Sequence, residues 1–133
     1  MITRINHVGI AVNSIDSMLK FYTEALGLKL KDIEVVQDQK VRTAIITVGD
    51  SRIELLESTD PEGPIAKHIE RRGEGLHHLA LEVTDVRQTL ADLKSKNVRL
   101  VDTEPRRGVE NTSMAFLHPG EPKVLIEIVE PPR

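Results

Sequence analysis

The first residues of the chain alternate between apolar and polar side chains. Residues 5–12 keep this two-residue period and are rich in β-branched residues, which predicts a strand. Asn13 or Ser14 can then cap a helix that ends near Gly27. The helical period is carried by the apolar residues Ile15, Met18, Leu19, Tyr22 and Leu26.

Three strand-like runs follow this helix. They cover about residues 28–36, then Val41 to Val48, then Arg52 to Glu57. A turn at Gly49-Asp50-Ser51 is predicted to join the last two runs into a hairpin. The first part of the chain therefore predicts a βαβββ module.

The pattern then repeats. The segment His7-Val8-Gly9-Ile10-Ala11-Val12 is echoed by His78-Leu79-Ala80-Leu81-Glu82-Val83, and Ile53-Glu54-Leu55-Leu56-Glu57 by Ile126-Glu127-Ile128-Val129-Glu130. The second half predicts a strand at 76–83, a helix from Thr84 or Asp85, and strands near 98–101, 112–118 and 123–130. The same module is therefore expected twice.

A turn-rich linker separates the halves. Asp60-Pro61-Glu62-Gly63-Pro64 precedes a short helix that ends at Gly73. We expect an α+β fold and one domain over residues 1–133, with module 1 at about 1–60, the linker helix at about 61–74 and module 2 at about 75–133. Each half alone has a marginal core, so the two sheets are expected to unite.

Composition narrows the class of protein. Only 2% of the 133 residues are aromatic and the net charge is −3, so neither stacking platforms nor a positive field favours nucleic acid as a partner. There is no cysteine, which excludes thiolate chemistry. The N-terminus lacks the apolar stretch of a signal peptide and no run is long enough to cross a membrane, so we expect a cytoplasmic protein.

The repeat also duplicates a pair of chemically active residues. One histidine lies on the first strand of each half and one glutamate on the last: His7 with Glu54, and His78 with Glu127. Both glutamates stand in apolar runs, where a buried carboxylate is costly unless it is paired or binds a metal. Taken singly, each histidine is more simply explained as a strand residue whose hydrogen bonds are satisfied, and each glutamate as a residue that points to solvent. As a symmetric set of four they favour a metal site or catalysis.

An imidazole and carboxylate site without thiolates suits a six-coordinate divalent ion such as Co, Mn, Ni, Fe or Zn. Such an ion acts as a Lewis acid on neighbouring substrate oxygens, so proton abstraction beside a carbonyl is the expected reaction class.

The other histidines and the arginine pairs are expected to have structural or surface roles. His77 must face the opposite side of its strand from His78, and His68 lies among charged residues on an expected solvated helix face. His118 precedes a proline and is expected to serve a turn. The pairs Arg71-Arg72 and Arg106-Arg107 are interpreted as surface charges, although either can bind phosphate.

These residues resemble the vicinal oxygen chelate (glyoxalase/bleomycin resistance) superfamily, and within it the methylmalonyl-CoA epimerase family. The resemblance extends over nearly the whole chain. Its marks are the two repeated motifs, Ile65-Ala66-Lys67 leading to Arg72-Gly73-Glu74-Gly75-Leu76-His77-His78, and Ala115-Phe116-Leu117-His118-Pro119. It implies two tandem βαβββ modules whose curved mixed sheets enclose a metal site.

The resemblance further implies a function. It predicts a metal-dependent isomerase that interconverts (2R)- and (2S)-methylmalonyl-CoA through an enolate stabilised by a divalent metal, cobalt first, with Mn, Ni, Zn or Fe as alternatives. The implied metal ligands are His7, Glu54, His78 and Glu127, and the implied acid/base pair is Glu127 and Asp38. An acyl-CoA substrate and a homodimer are expected on the same ground.

Two alternatives stay open at this point. A lactoylglutathione lyase or another metal-dependent isomerase or lyase of the superfamily would use nearly identical metal chemistry. A metal-free small-molecule-binding member would keep the fold alone, although the presence of all four ligand types argues against it.

Overall fold

The computed structural model describes residues 1–132, which form eight strands and three α-helices. They group into two compact units, one of residues 7–77 and one of residues 1–6 with the chain from His78 onward. The strands are β1 (Ile2–Ala11), β2 (Lys29–Val36), β3 (Val41–Val48), β4 (Ser51–Ser58), β5 (Gly75–Val83), β6 (Arg106–Arg107), β7 (Ser113–Leu117) and β8 (Leu125–Glu130). The helices are α1 (Ile15–Lys20), α2 (Pro64–Arg72) and α3 (Val86–Ser95).

In the unit of residues 7–77, the strand order is β2-β3-β4-β1. Strands β1 and β4 are parallel, whereas β3 is antiparallel to both of its neighbours. The alternation along β3 divides its side chains between two faces. Ala44 and Ile46 pack with Ile15 of α1, while Val41 packs with Ile65 of α2 on the opposite face. Each face of this sheet therefore carries one helix.

The second unit repeats the arrangement with strand order β5-β8-β7-β6. Strands β5 and β8 are parallel, and β7 is antiparallel to β8. Val86 and Leu90 of α3 pack on Val83, Ala115 and Ile128. The first residues of β1 belong here, because the side-chain amide of Asn6 donates to Glu82 Oε1 at 2.9 Å.

Each module begins its helix in the same way. Ser14 Oγ accepts from Ser17 N at 3.2 Å, and Asp85 Oδ1 accepts from Gln88 N at 3.0 Å. A carboxylate from the last strand adds a second cap, because Glu57 accepts from the Ile15 N–H at 2.7 Å and Glu130 from the Val86 N–H at 2.9 Å. These bonds satisfy helix N–H groups that lack an intrahelical partner.

The first predicted helix is interrupted. After Lys20 the chain makes one π-turn over Phe21–Ala25, with Leu26 N donating to Phe21 O at 3.0 Å. The wider turn shifts the helical register, so Leu26 leaves the apolar stripe and is 52% exposed. Gly27 ends the segment with a φ of +69°, as predicted.

One predicted strand is wrong. Residues 98–101 form no strand and contribute only an isolated bridge between Leu100 and Leu117. The amides of Val101 and Asp102 both donate to Phe116 O, which is incompatible with a regular ladder. The edge beside β7 is occupied by Arg106–Arg107 instead. Within residues 1–132, no helix is long and apolar enough to cross a bilayer.

Candidate functional site

The first histidine–glutamate pair is positioned by the parallel pairing of β1 and β4. Gly9 lies opposite Glu54, and His7 precedes Gly9 by two residues, so His7 and Glu54 project from the same face. His7 Nδ1 lies 3.2 Å from Glu54 Oε2. Because glycine has no side chain, nothing projects from Gly9 between the imidazole and the carboxylate.

The second pair has the same backbone arrangement, but its contact is made through Nε2 of the histidine instead of Nδ1. Ala80 of β5 lies opposite Glu127 of β8, and His78 precedes Ala80 by two residues. His78 Nε2 lies 3.1 Å from Glu127 Oε1. A small residue stands opposite the glutamate in both pairs, so the repeated sequence motif corresponds to a repeated spatial arrangement.

All four side chains are buried. Their relative exposures are 3% for His7, 4% for Glu54, 5% for His78 and 6% for Glu127. A carboxylate with a neutral imidazole carries a net negative charge that is costly in such surroundings, and a divalent cation would neutralise it.

The donor set fits a divalent metal ion. Adjacent ligand atoms around an octahedral ion with bonds of about 2.1–2.2 Å lie about 3 Å apart, which matches the separation within each pair. Nitrogen and oxygen donors of this kind suit Zn and its neighbours in the first transition row.

Asp38, the fifth predicted site residue, has different surroundings. It is exposed and lies in a 3₁₀ turn over Gln37–Gln39, between β2 and β3. Lys40 closes this turn in the left-handed region, with a φ of 53°, and its N–H donates to Gln37 O at 3.0 Å. The turn thus holds Asp38 at the surface, in contrast to the four buried side chains.

Residues beside the second pair were not predicted as part of the site. The Phe116 ring meets His78 edge to face, with centroids 5.6 Å apart, and the Arg106 guanidinium lies 5.6 Å from the Phe116 centroid. Asp102 holds both neighbours, because its carboxylate accepts from Phe116 N at 2.9 Å and lies 3.1 Å from Arg106 Nε. The sequence offered one signal that could have pointed to Phe116: aromatic residues are scarce, and Phe116 is one of only two phenylalanines.

The remaining histidines have structural contacts. His77 points away from His78 and meets the His68 ring edge to face at 4.8 Å, so half-buried His68 has an aromatic contact beyond its expected solvated face. Burial, with the charges of Arg72 and Arg71, lowers the pKa of His68 below its ordinary value of 6.5. His118 Nδ1 accepts from Gly120 N at 3.0 Å, which confirms its turn role.

Comparison with known proteins adds the evolutionary context of these pairs. Residues 6–116 match the model of the glyoxalase/bleomycin resistance protein/dioxygenase superfamily. The chain belongs to this superfamily. The predicted glyoxalase-like fold, built from tandem βαβββ modules, is thereby confirmed.

Individual superfamily members resemble the chain over most of its length. An uncharacterized protein of Bacillus subtilis is 37% identical over 129 residues, which are 96% of this chain and 92% of that protein. The ethylmalonyl-CoA/methylmalonyl-CoA epimerase of Cereibacter sphaeroides is 33% identical over 121 residues, covering 90% of each chain. The structure of a Streptomyces coelicolor methylmalonyl-CoA epimerase variant with 2-nitronate-propionyl-CoA superposes with a TM-score of 0.95 at 36% identity, over 98% of this chain and 96% of that one.

Proposed function

We propose that the protein is a methylmalonyl-CoA epimerase that interconverts the (2R) and (2S) forms of its substrate. The observation that carries this proposal is the pair of buried histidine–glutamate contacts at equivalent positions of the two modules. Support also comes from superfamily members that are epimerases and match this chain over 90% or more of its length.

The proposed ligands of one divalent ion are His7, Glu54, His78 and Glu127, with cobalt as the first candidate and Mn, Ni, Zn or Fe as alternatives. When bound, the ion supplies positive charge that stabilises the negative charge developing on the substrate oxygens as C2 loses its proton. The donor types, their burial and the separation within each pair support this assignment.

The proton transfers are assigned to Glu127 and Asp38. One carboxylate takes the C2 proton, and the electron pair of the broken C–H bond delocalises into the thioester carbonyl as an enolate. The other carboxylic acid then donates a proton to the opposite face of C2, which inverts that carbon. The two carboxylates exchange roles in the reverse direction, so the reaction is redox-neutral and releases no group.

The two acids differ in their access to water. Glu127 is 6% exposed, whereas Asp38 is exposed in its surface turn. A proton on Asp38 should therefore exchange with solvent faster than one on Glu127, since exchange requires contact with water. We infer that a proton returned by Asp38 comes from solvent.

The decisive experiment is isotope exchange. A malonyl-type CoA thioester in heavy water with the cobalt-loaded protein should exchange its C2 hydrogen for deuterium, measured by NMR. A panel containing the glutathione adduct of a small dicarbonyl provides the substrate control. If the rate of deuterium exchange is no higher with the protein than without it, the epimerase assignment is refuted. Turnover of the glutathione adduct would favour a lyase.

On the family resemblance, we also propose that the protein acts in the cytoplasm as a homodimer. Light scattering should then give a mass twice the chain mass of 14.9 kDa. A mass of one chain at micromolar concentration would contradict the dimer and leave the epimerase assignment unaffected.

A further inference from the structure

A buried hydroxyl group lies on the same sheet face as the first histidine–glutamate pair. Thr43 is 1% exposed, and its Oγ1 has no hydrogen-bond partner among residues 1–132. Buried hydroxyls are hydrogen-bonded as a rule, because an unpaired one loses its interactions with water without compensation. The position of Thr43 therefore requires an explanation.

Strand register places this hydroxyl beside Glu54. In the pairing of β3 with β4, Thr43 lies opposite Leu56 and Ile45 lies opposite Glu54, so all four side chains project from one face. Thr43 and Glu54 are diagonal neighbours across the two strands, a spacing that a long side chain spans. On its other side Thr43 lies directly opposite Glu34 of β2, a half-buried carboxylate to which its hydroxyl makes no hydrogen bond in this structure, and it adjoins the apolar Val41 and Leu56.

Metal binding would change the hydrogen bonding of Glu54. At 3.2 Å, a protonated His7 Nδ1 can donate to Glu54 Oε2. Where His7 binds the ion through Nδ1, the nitrogen that faces Glu54, that nitrogen gives its lone pair to the ion and carries no proton to donate. The carboxylate would lose this donor, and an unused hydroxyl group lies on the same face.

We propose that Thr43 is a positioning residue whose hydroxyl donates to the Glu54 carboxylate in the metal-bound protein and fixes its orientation as a ligand. This role rests on the proposed metal site. Hydrogen bonds from residues around the ligands commonly contribute 10–100-fold to metal affinity. The matching position in the second module is Met114, which lies opposite Val129 and has no hydroxyl group.

The test is the Co²⁺ affinity of the full chain, measured by calorimetric titration. Thr43→Val should weaken Co²⁺ binding by about 10–100-fold, while Thr43→Ser should bind within a few-fold of the unaltered chain. The melting temperature of metal-free Thr43→Val should stay equal or rise, because valine removes the unpaired hydroxyl and keeps the shape. If Thr43→Val does not fold, Thr43→Ala and Thr43→Ser provide the same contrast.

Thr47→Val is the matched control. Thr47 lies on the same strand, but its hydroxyl already donates to Lys29 O at 3.4 Å, so its loss should leave Co²⁺ affinity unchanged. Unchanged affinity in Thr43→Val, or an equal loss in Thr43→Ser, would overturn the role of the hydroxyl. Absence of Co²⁺ binding by the unaltered chain would instead overturn the metal site itself, and this role with it.

Discussion

The two histidine–glutamate pairs share a backbone arrangement but differ in their neighbours. Each glutamate lies opposite a small residue, and its histidine stands two positions earlier on the adjacent strand. On the other flank, Glu54 faces Ile45 and the hydroxyl-bearing Thr43 is its diagonal neighbour, whereas Glu127 faces Phe116 with Met114 in the diagonal position. The duplicated module supplies equivalent donors twice, and the neighbouring strand makes the two surroundings unequal.

This inequality suggests a division of labour between the glutamates. The bond proposed from Thr43 would fix the orientation of the Glu54 carboxylate, which suits a residue that only binds metal. The Glu127 carboxylate has Phe116 and Met114 as its neighbours on the adjacent strand, and it is the one to which proton transfer is assigned above. We expect the variants below to separate the two roles.

The largest effect is expected from exchanging carboxylate for amide in each pair. Glu127→Gln should lower kcat by about 10²–10⁴-fold, because an amide cannot accept the C2 proton. Glu54→Gln should retain most of kcat, because the amide oxygen remains a possible ligand. Stopped-time assays on cobalt-loaded protein, with metal content measured by mass spectrometry, check both. Equal losses at the two positions would contradict the division of labour.

The next largest effect on the reaction is expected from Asp38→Asn. Inversion at C2 should fall by about 10²-fold or more, because one of the two acids is lost. Deuterium exchange should continue, at a reduced rate, for the stereoisomer whose C2 proton faces Glu127, since that step does not use Asp38 but depends on slow exchange of the proton on the buried Glu127 carboxylate with solvent. NMR in heavy water combined with a stereospecific coupled assay separates exchange from inversion. Full inversion by Asp38→Asn would exclude Asp38 as an acid/base residue.

A moderate effect on stability is expected at the capping glutamates. Glu57→Ala and Glu130→Ala should each cost about 0.5–2 kcal/mol of unfolding free energy, because a helix N–H group loses its acceptor. Co²⁺ affinity should hardly change in either variant, since both capping carboxylates bond helix N–H groups. Urea denaturation and calorimetric titration check the two quantities. A large loss of metal affinity would show that these residues also serve the metal site.

The smallest effect concerns pH. The pKa of His68 is lowered in the folded state, so between that value and the ordinary 6.5 the unfolded chain binds more protons. Stability should therefore decrease as pH falls below about 6.5, and His68→Gln should remove a small part of this decrease. Because His68 is partly exposed, we expect a difference of about one degree or less in melting temperature. A steeper acid dependence in His68→Gln would reverse the sign and contradict this account.

Much of the architecture follows from local sequence patterns. The period-2 alternation around His7 and the helical period from Ile15 are local signals, and the observed strand and helix agree with them. The repeat, together with the apolar runs around the two glutamates, selected His7, Glu54, His78 and Glu127 as a set. Glu57 and Glu130 are repeated equally well, so repetition by itself did not separate residues that cap helices from residues that pair with histidine.

Tertiary structure decided the features that depend on partners far away in sequence. Strand register determined that Gly9 and Ala80 stand opposite the glutamates and that Thr43 is a diagonal neighbour of Glu54. The contact of His68 with His77 and the replacement of the predicted strand at 98–101 by Arg106–Arg107 likewise depend on long-range packing. Local propensity determines which face a side chain takes along its own strand. Only the pairing of strands determines which residues meet across it, because that choice depends on the burial and hydrogen bonding of the whole sheet.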